Sequence, residues 1–516
     1  MSRGLSRTYL YLLVIVAGFT TLGVELSASR LLDPWFGNSL FVWAGLIGLI
    51  LLYLAIGYWL GGRIADRWPD PAVLLGIMAT AAFSVGLIPT LSRPVLRFAA
   101  AGLADFEAGV IAGSLAAVLA LFALPIILLG VASPYAIRLT LDDVASSGRT
   151  SGRVYAASTA GSIAGSFLPV LLLIPAIGTR ATFAVLAAAL LGAVTLGFIL
   201  IRRPWAALIA GAALLGVLWL GWRPVGPVKP STGLIFETES VHNYIQVIDA
   251  GFERQLRLNE GEGIHSVYRP QGGLADGIWD YFTLAPAFNP AGYSPERVQR
   301  VYIGGLAAGT MARLFTDAYG PIPIDGAELD AEIIEVGRRY FDMNQTNLTA
   351  MAADARRALR ESTHTYDVIA LDAYRPPYIP FHLTTVEFFD LARQRLNPDG
   401  VLVVNVGRTQ TDYRLVDAIA ATLQQVFPSV YVVDEPAPDT PLGNTMVVAT
   451  NRLTTLQDFQ ANLPSFNHPL LAEVARRAAP QARPAAPPAW APLFTDDRAP
   501  VEQVVHQLVL RHFLGQ

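Results

Sequence analysis

Seven apolar runs follow one another before residue 222, at about 9–28, 40–60, 72–91, 109–131, 154–175, 181–200 and 204–222. Each approaches the roughly 20 residues that an α-helix needs to cross the hydrocarbon of a bilayer. A single run of this kind fits a buried core helix. Seven in series, parted by short polar joints, predict a multi-pass α-helical membrane domain over residues 1–222, with soft boundaries around 92–110 and at Arg202–Arg203. The first run follows Arg3 and Arg7 as a signal peptide does. It is long, and "TTLGVELSASRLL" offers no convincing small-residue cleavage site, so it reads as a retained helix.

The loops on the N-terminal side carry Arg63, Arg67, Arg138, Arg149, Arg153, Arg202 and Arg203. They outweigh Arg30, Arg93, Arg97, Arg180, Arg223 and Lys229 on the other side, which leans towards an inside N-terminus. Seven crossings then put residues 223–516 outside, and an even number returns them to the cytoplasm. The expected location is the cell inner membrane, with the side of the C-terminal region open. Polar residues inside the runs are few: Glu25 stands out because an intramembrane carboxylate is expensive, whereas Asp105 and Glu107 suit an interface. Gly161 and Gly165, four apart in "ASTAGSIAGSFLPVLLL", suit close helix packing.

The chain is 53% hydrophobic and 15% charged with mean hydropathy +0.42, and the apolar excess lies before residue 222. After it the rhythm changes. Residues 223–292 read as a linker and a small antiparallel unit, with "NYIQVIDAG" and "FERQLRLNEG" as a hairpin and "GIHSVY" as a third strand. Residues 293–476 alternate strands with amphipathic helices, which predicts an α/β Rossmann-like domain with a mostly parallel sheet. Residues 477–516 read as a Pro/Ala-rich linker and a closing helix. Cysteine is absent, which excludes disulfides and thiol chemistry. The histidines show no HExxH spacing, so no metal is expected, and no basic tract points to nucleic acid.

Chemistry concentrates in "RVQRVYIGGLAAGTMARLF" (297–315), a buried strand, a glycine turn and a helix start. Gly304, Gly305 and Gly309 permit a tight turn at the carboxyl end of a strand, where open sheets bind ligands. The next strand ends in Glu328, at the usual distance for an acid that accepts both ribose hydroxyls. Asp354 precedes a helix in "MAADARRAL", and Asp372 ends the strand "YDVIALDAY". Three carboxylates at successive strand ends converge on one crevice.

"ESVHNYIQV", "GIHSVY", "YIGGLAAGT", "GAELD", "YDVIALDAY", "IPFHLTTVEFF" and "FTDDRAPVE" occur in the order of the spermidine synthase family, and residues 235–455 resemble it. The helical half, including "GYWLGGRIADR", resembles the membrane-fused bacterial branch of that family, part of which is described as transporter-like. The resemblance implies a class I methyltransferase-type fold that transfers an aminopropyl group from decarboxylated S-adenosylmethionine to a small-molecule amine, with no metal. It assigns Gly304, Gly305, Gly309, Glu328 and Asp354 to the cofactor, Asp372 to catalysis as the acid that orients or deprotonates the amine, and Asn243, Asp280 and Tyr374 to the acceptor. The expected partners are that amine and the lipid bilayer, and a homodimer is left open.

The departures bear on the acceptor. "GGLAAG" replaces an acidic turn of the type GGGDGG, with Ala307 where the aspartate falls. Arg375 replaces a second aspartate, His242 and Asn243 replace Tyr and Gln, and Trp279–Asp280 replaces a Tyr-His pair. Two other readings therefore stand beside aminopropyl transfer. One is S-adenosylmethionine-dependent methyl transfer to an unknown acceptor. The other is a non-catalytic nucleoside- or polyamine-binding module tethered to a transporter-like membrane domain.

Overall fold

The computed structural model describes residues 5–37, 40–101, 107–141, 143–223, 226–259, 263–374, 379–436, 442–505 and 507. Asp105 and Arg375 lie outside the described residues. The chain divides into two compact units, one of residues 1–230 with 239–244 and 259–261, the other holding the remainder.

The first unit is helical: α1 (Arg7–Phe36), α2 (Leu40–Arg67), α3 (Pro71–Ala101), α4 (Glu107–Gly130), α5 (Ala132–Thr140), α6 (Ser147–Leu168), α7 (Ile174–Leu200) and α8 (Pro204–Trp222). Among the described residues six helical stretches, against the seven runs expected, are long and apolar enough to cross a membrane. The difference lies in Val144–Leu200, where α6, a π-turn at Pro169–Leu173 and α7 join into 57 residues. A straight helix of that length runs about 86 Å, far more than one bilayer. The stretch breaks at Gly178, whose φ of 77° and ψ of 165° are not helical, so it comprises two limbs. The break falls in the joint between the expected runs 154–175 and 181–200.

Close packing builds the bundle. A Cβ on Gly161 would stand 1.9 Å from the Ile15 carbonyl oxygen, and one on Gly165 would stand 2.3 Å from that of Phe19. The two glycines thus let α6 lie backbone-to-backbone on α1, as their spacing predicts.

The second unit begins with a four-stranded sheet in the order β1 (Leu234–Glu239), β2 (Tyr244–Asp249), β3 (Arg254–Leu258), β4 (Ile264–Tyr268). β2 and β3 form the expected hairpin, β4 adds to it, and β1 is an extra strand that the alternation of "LIFETE" leaves ambiguous. A short helix α9 (Ile278–Phe282) leads into the α/β fold. Its elements are β5 (Val301–Gly304), α10 (Thr310–Tyr319), β6 (Ile324–Glu328), α11 (Ala331–Tyr340), β7 (Leu348–Ala352), α12 (Ala355–Glu361), β8 (Tyr366–Leu371), α13 (Val386–Arg395), β9 (Leu396–Thr409), α14 (Arg414–Leu423), β10 (Ser429–Asp434), β11 (Leu442–Thr450), α15 (Leu456–Asn462), α16 (Pro469–Ala478) and β12 (Ala482–Pro484).

The sheet order is β12-β10-β11-β9-β8-β5-β6-β7. β5, β6, β7, β8 and β9 pair in parallel, and β11 joins β9 antiparallel. Chain direction across the sheet reverses between β5 and β8, and the crevice beyond the carboxyl ends at such a switch point is where doubly wound sheets bind ligands. The central strands β5 and β8 are buried along their whole length, so "VYIG" and "YDVIAL" show no period-2 alternation.

The stretch read as a linker from 477 is partly ordered structure. Ala478 is fully buried on α16, and β12 pairs with β10 (Val432 opposite Arg483). Its proline suits an edge strand. Beyond it, Phe494, Val501 and Val505 pack into the core, and Asp496 makes a two-pronged ion pair with Arg356 (both 2.6 Å).

Candidate functional site

The glycine turn leaves β5 at Gly304 and closes through tight approaches. Gly305, at φ 90°, lies where a Cβ would stand 2.4 Å from the Asp372 carbonyl oxygen, so only glycine lets the ends of β5 and β8 meet. Every backbone N–H of the turn is engaged. Gly305 and Leu306 donate to the Ala327 carbonyl, and Gly309 donates to that of Leu306 (all 3.0 Å). Ala307 donates to Glu328 Oε2 (2.9 Å), and Ala308 donates to Ser266 Oγ on β4 (2.9 Å). A turn that cradles phosphate keeps such donors free for the anion. This one does not, which points away from a dinucleotide and towards an uncharged or cationic nucleoside.

Glu328 ends β6 as expected, its other oxygen accepting from Asp330 N (3.1 Å). Burial holds its carboxyl above the usual range, against the two backbone donors. Asp354 caps α12, accepting from Arg357 N at 2.9 Å, and its second oxygen lies 2.7 Å from His382 Nε2. Burial opposes its ionisation, but the Arg357 amide and His382 prevail and hold it below the usual carboxylate range. Ala307 stands at φ 46°, a left-handed conformation that costs an L-residue roughly 1–2 kcal/mol.

Asp372 follows β8 at the switch point. Its Oδ2 accepts from Trp279 Nε1 (2.8 Å) and its Oδ1 from Asn405 Nδ2 (2.9 Å). Asp372 is half-buried, and the surrounding protein raises its pKa, with Asn405 and Trp279 pulling the other way. Asn405 Oδ1 is buried and has no hydrogen-bond partner, so an acceptor sits unfilled beside the carboxylate. Tyr374 donates its hydroxyl to the Asn405 carbonyl (3.1 Å) and receives Gly407 N (2.7 Å), which fixes the ring beneath the same strand.

The structure does not unite all the expected positions. Asp280 is 1% exposed, and its two oxygens accept from Ala275 N and Asp276 N (both 2.8 Å). That carboxylate is committed to its own turn and does not replace the missing acids. Asn243 belongs with the first unit, where its Oδ1 accepts from Asn259 Nδ2 at 3.0 Å.

Three contributors were not anticipated as functional. Trp279 was noted only as a departure. Asn405 is the single polar residue in the apolar strand "VLVVNV", a signal that alone marks a buried side chain with a job. Glu435, just past β10, has a carboxyl raised by burial, with repulsion from Asp280 and Asp372 adding and Asn444 opposing. Asn444 Nδ2 donates to it at 2.9 Å. Among the described residues no group of acidic and histidine side chains is arranged to hold a metal.

Part of the chain is similar to known proteins. The model of the spermine/spermidine synthase domain matches residues 295–458. A probable polyamine aminopropyl transferase of Bifidobacterium longum is 32% identical over 210 residues, 40% of this chain and 46% of that protein. A polyamine aminopropyltransferase of Vibrio vulnificus is 33% identical over 178 residues, 34% of this chain and 55% of that protein. The chain therefore spans about half the length of the curated relatives it matches. Among solved structures, a probable spermidine synthase from Corynebacterium glutamicum aligns at 23% identity and a TM-score of 0.41, over 52% of this chain and 97% of that one. Residues 295–458, with the glycine turn, Glu328 and the Asp372 crevice inside them, are a spermine/spermidine synthase domain carried behind a bundle of long apolar helices.

Proposed function

We propose that the chain is a membrane-bound transferase that moves an aminopropyl group from decarboxylated S-adenosylmethionine to an amine. The observation that carries this reading is Asp372 beside the unfilled Asn405 acceptor, at the point where the glycine turn meets the switch point. In this reading Glu328 takes the ribose hydroxyls, and Asp354 lies by the base. The transferred carbon is bonded to a sulfonium sulfur. The amine nitrogen bonds to that carbon as the carbon–sulfur bond breaks, leaving a neutral thioether. The nitrogen then carries an extra proton, which Asp372 is placed to receive. Holding the amine in line and unprotonated is the main task of such a site. Glu435 adds a second carboxylate for the far end of a diamine. The helical unit anchors the chain in the bilayer, an assignment that rests on helix length and apolar composition.

Methyl transfer is the second reading, and Ala307 favours it. An aspartate there would repel the carboxylate that S-adenosylmethionine has and its decarboxylated form lacks, and alanine imposes no such barrier. Calorimetry of the full chain with both nucleosides tests the donor, with binding expected for at least one. Product analysis with labelled donors and an amine panel separates the two transfers. Asp372→Asn should keep donor binding and lose turnover. Binding of neither nucleoside, or turnover unchanged in the variant, overturns the reading.

A further inference from the structure

Three arginines gather in the helical unit where α8 finishes. Arg180 lies two residues after the break at Gly178, and its Nη2 donates to the Leu220 carbonyl on α8 (2.6 Å). Arg223 caps the end of α8, with its guanidinium 5.3 Å from the Trp219 ring. Arg93, on α3, donates to the Gly226 carbonyl just beyond. The positive charges of Arg93 and Arg223 both act on Arg180. All three residues are half-buried.

Like charges that are brought together and partly withdrawn from water need a counter-charge. The last carbonyls of α8 offer only the partial negative charge of a helix end. Among the described residues none of the three arginines pairs with a carboxylate. Glu239, which reaches this end of the unit, is spent on Thr179, whose N and Oγ1 both donate to its Oε2 (3.3 and 2.7 Å). The Nε atoms of Arg180 and Arg223 are buried and have no hydrogen-bond partner among the described residues. A buried donor left unfilled is costly, more so on a charged group. Two such donors in one cluster of like charge point to an anion.

The surroundings indicate its class. Trp219 and Trp222 at the end of α8 are 63% and 54% exposed, and Phe98, five residues past Arg93 on α3, is 82% exposed. Exposed tryptophans at helix ends mark the level of lipid headgroups. Basic pockets between membrane helices hold lipid phosphates, and the guanidinium fork matches two phosphate oxygens.

We propose that Arg93, Arg180 and Arg223 hold the phosphate of an anionic phospholipid. The site rests on the reading of the helical unit as membrane-spanning. A free phosphate ion shares this chemistry, and the experiment separates the two.

Native mass spectrometry of the full chain in detergent reads the dissociation constant of the first bound phosphatidylglycerol or phosphatidylcholine. Both lipids carry the phosphate, but choline cancels its charge, so the comparison isolates net charge. Phosphatidylglycerol should bind about tenfold more tightly or better. A basic side chain beside anionic lipid is worth about fivefold. Arg180→Gln and Arg223→Gln should therefore each weaken phosphatidylglycerol about fivefold and leave phosphatidylcholine unchanged. Arg223 lies past the last turn of α8, so its variant decides the matter if Arg180→Gln fails to fold. Arg63→Gln, which removes an exposed arginine near the end of α2, should change neither lipid. Inorganic phosphate in large excess should not displace the lipid. Displacement by phosphate, equal affinity for both lipids, or a preference that survives both substitutions overturns the proposal. Release of the chain from membranes by alkaline carbonate would take down the bilayer reading with it, whereas retention without lipid preference overturns this inference alone.

Discussion

Trp279→Phe isolates one hydrogen bond in the proposed chemistry. The indole N–H is one of two donors on Asp372, 2.8 Å from Oδ2, and phenylalanine keeps an aromatic ring at this half-buried position while removing that donor. A hydrogen bond to a charged group is worth about 1.5–3 kcal/mol. One pKa unit corresponds to about 1.36 kcal/mol. Burial already raises the Asp372 pKa, and this donor lowers it, so its loss should lift the pKa further. Asp372 must start ionised to receive a proton from the attacking amine. The acid limb of kcat/KM should therefore move to higher pH, so that at a fixed pH on that limb the rate falls about tenfold or more, with the rate recovering on the alkaline side. The limb set by the amine's own ionisation should stay in place. The assay follows transfer from a labelled donor to an amine across pH, using the full chain in vesicles. A lowered plateau with an unmoved acid limb would refute the role given to Trp279 as the residue that keeps Asp372 ionised.

Two further outcomes are expected. Gly305→Ala places a Cβ 2.4 Å from the Asp372 carbonyl oxygen at a φ of 90°, so strain and overpacking should destabilise the second unit by about 2–5 kcal/mol and abolish donor binding. Unchanged thermal melting and calorimetry would show that β5 and β8 do not need that contact. Burial, with Asp280 and Asp372 adding, raises the Glu435 carboxyl above its unfolded value, so its stability contribution is whole below the ordinary carboxylate range and is lost as pH rises through the raised pKa. Glu435→Gln should consequently raise the melting temperature at about pH 8 and leave it nearly unchanged at about pH 4. A gain confined to acid pH would reverse that sign.

The parts of the site legible in the sequence are those fixed by local pattern. A strand, a glycine turn and a helix start are contiguous, and Glu328 and Asp372 sit at strand ends where an open sheet gathers its ligands. The partners of Asp372 are another matter. Trp279 lies 93 residues away and Asn405 lies 33 residues away, and only the completed sheet brings them together. Asp280 misled for the same reason. Its charge suggested a substitute acid, but the backbone of its own turn claims both oxygens, and no spacing rule reveals that. In the helical half the apolar runs marked the helices, and the joint read between 175 and 181 holds Gly178, where the Val144–Leu200 stretch breaks.

The ion pair between Arg356 and Asp496 closes a loop of 140 residues. Arg356 also donates to the His382 carbonyl, and His382 faces Asp354, so the shape of the proposed nucleoside side of the crevice depends on a segment reached after every strand of the sheet. Contacts of such separation form late, because the chain between them must first be ordered. During synthesis this domain therefore exists for a time as a finished sheet with an unfinished pocket. A shortened chain ending before Asp496 would be held in that state, its Arg356 left without this carboxylate and its core without Val501 and Val505, unable to set His382 against Asp354.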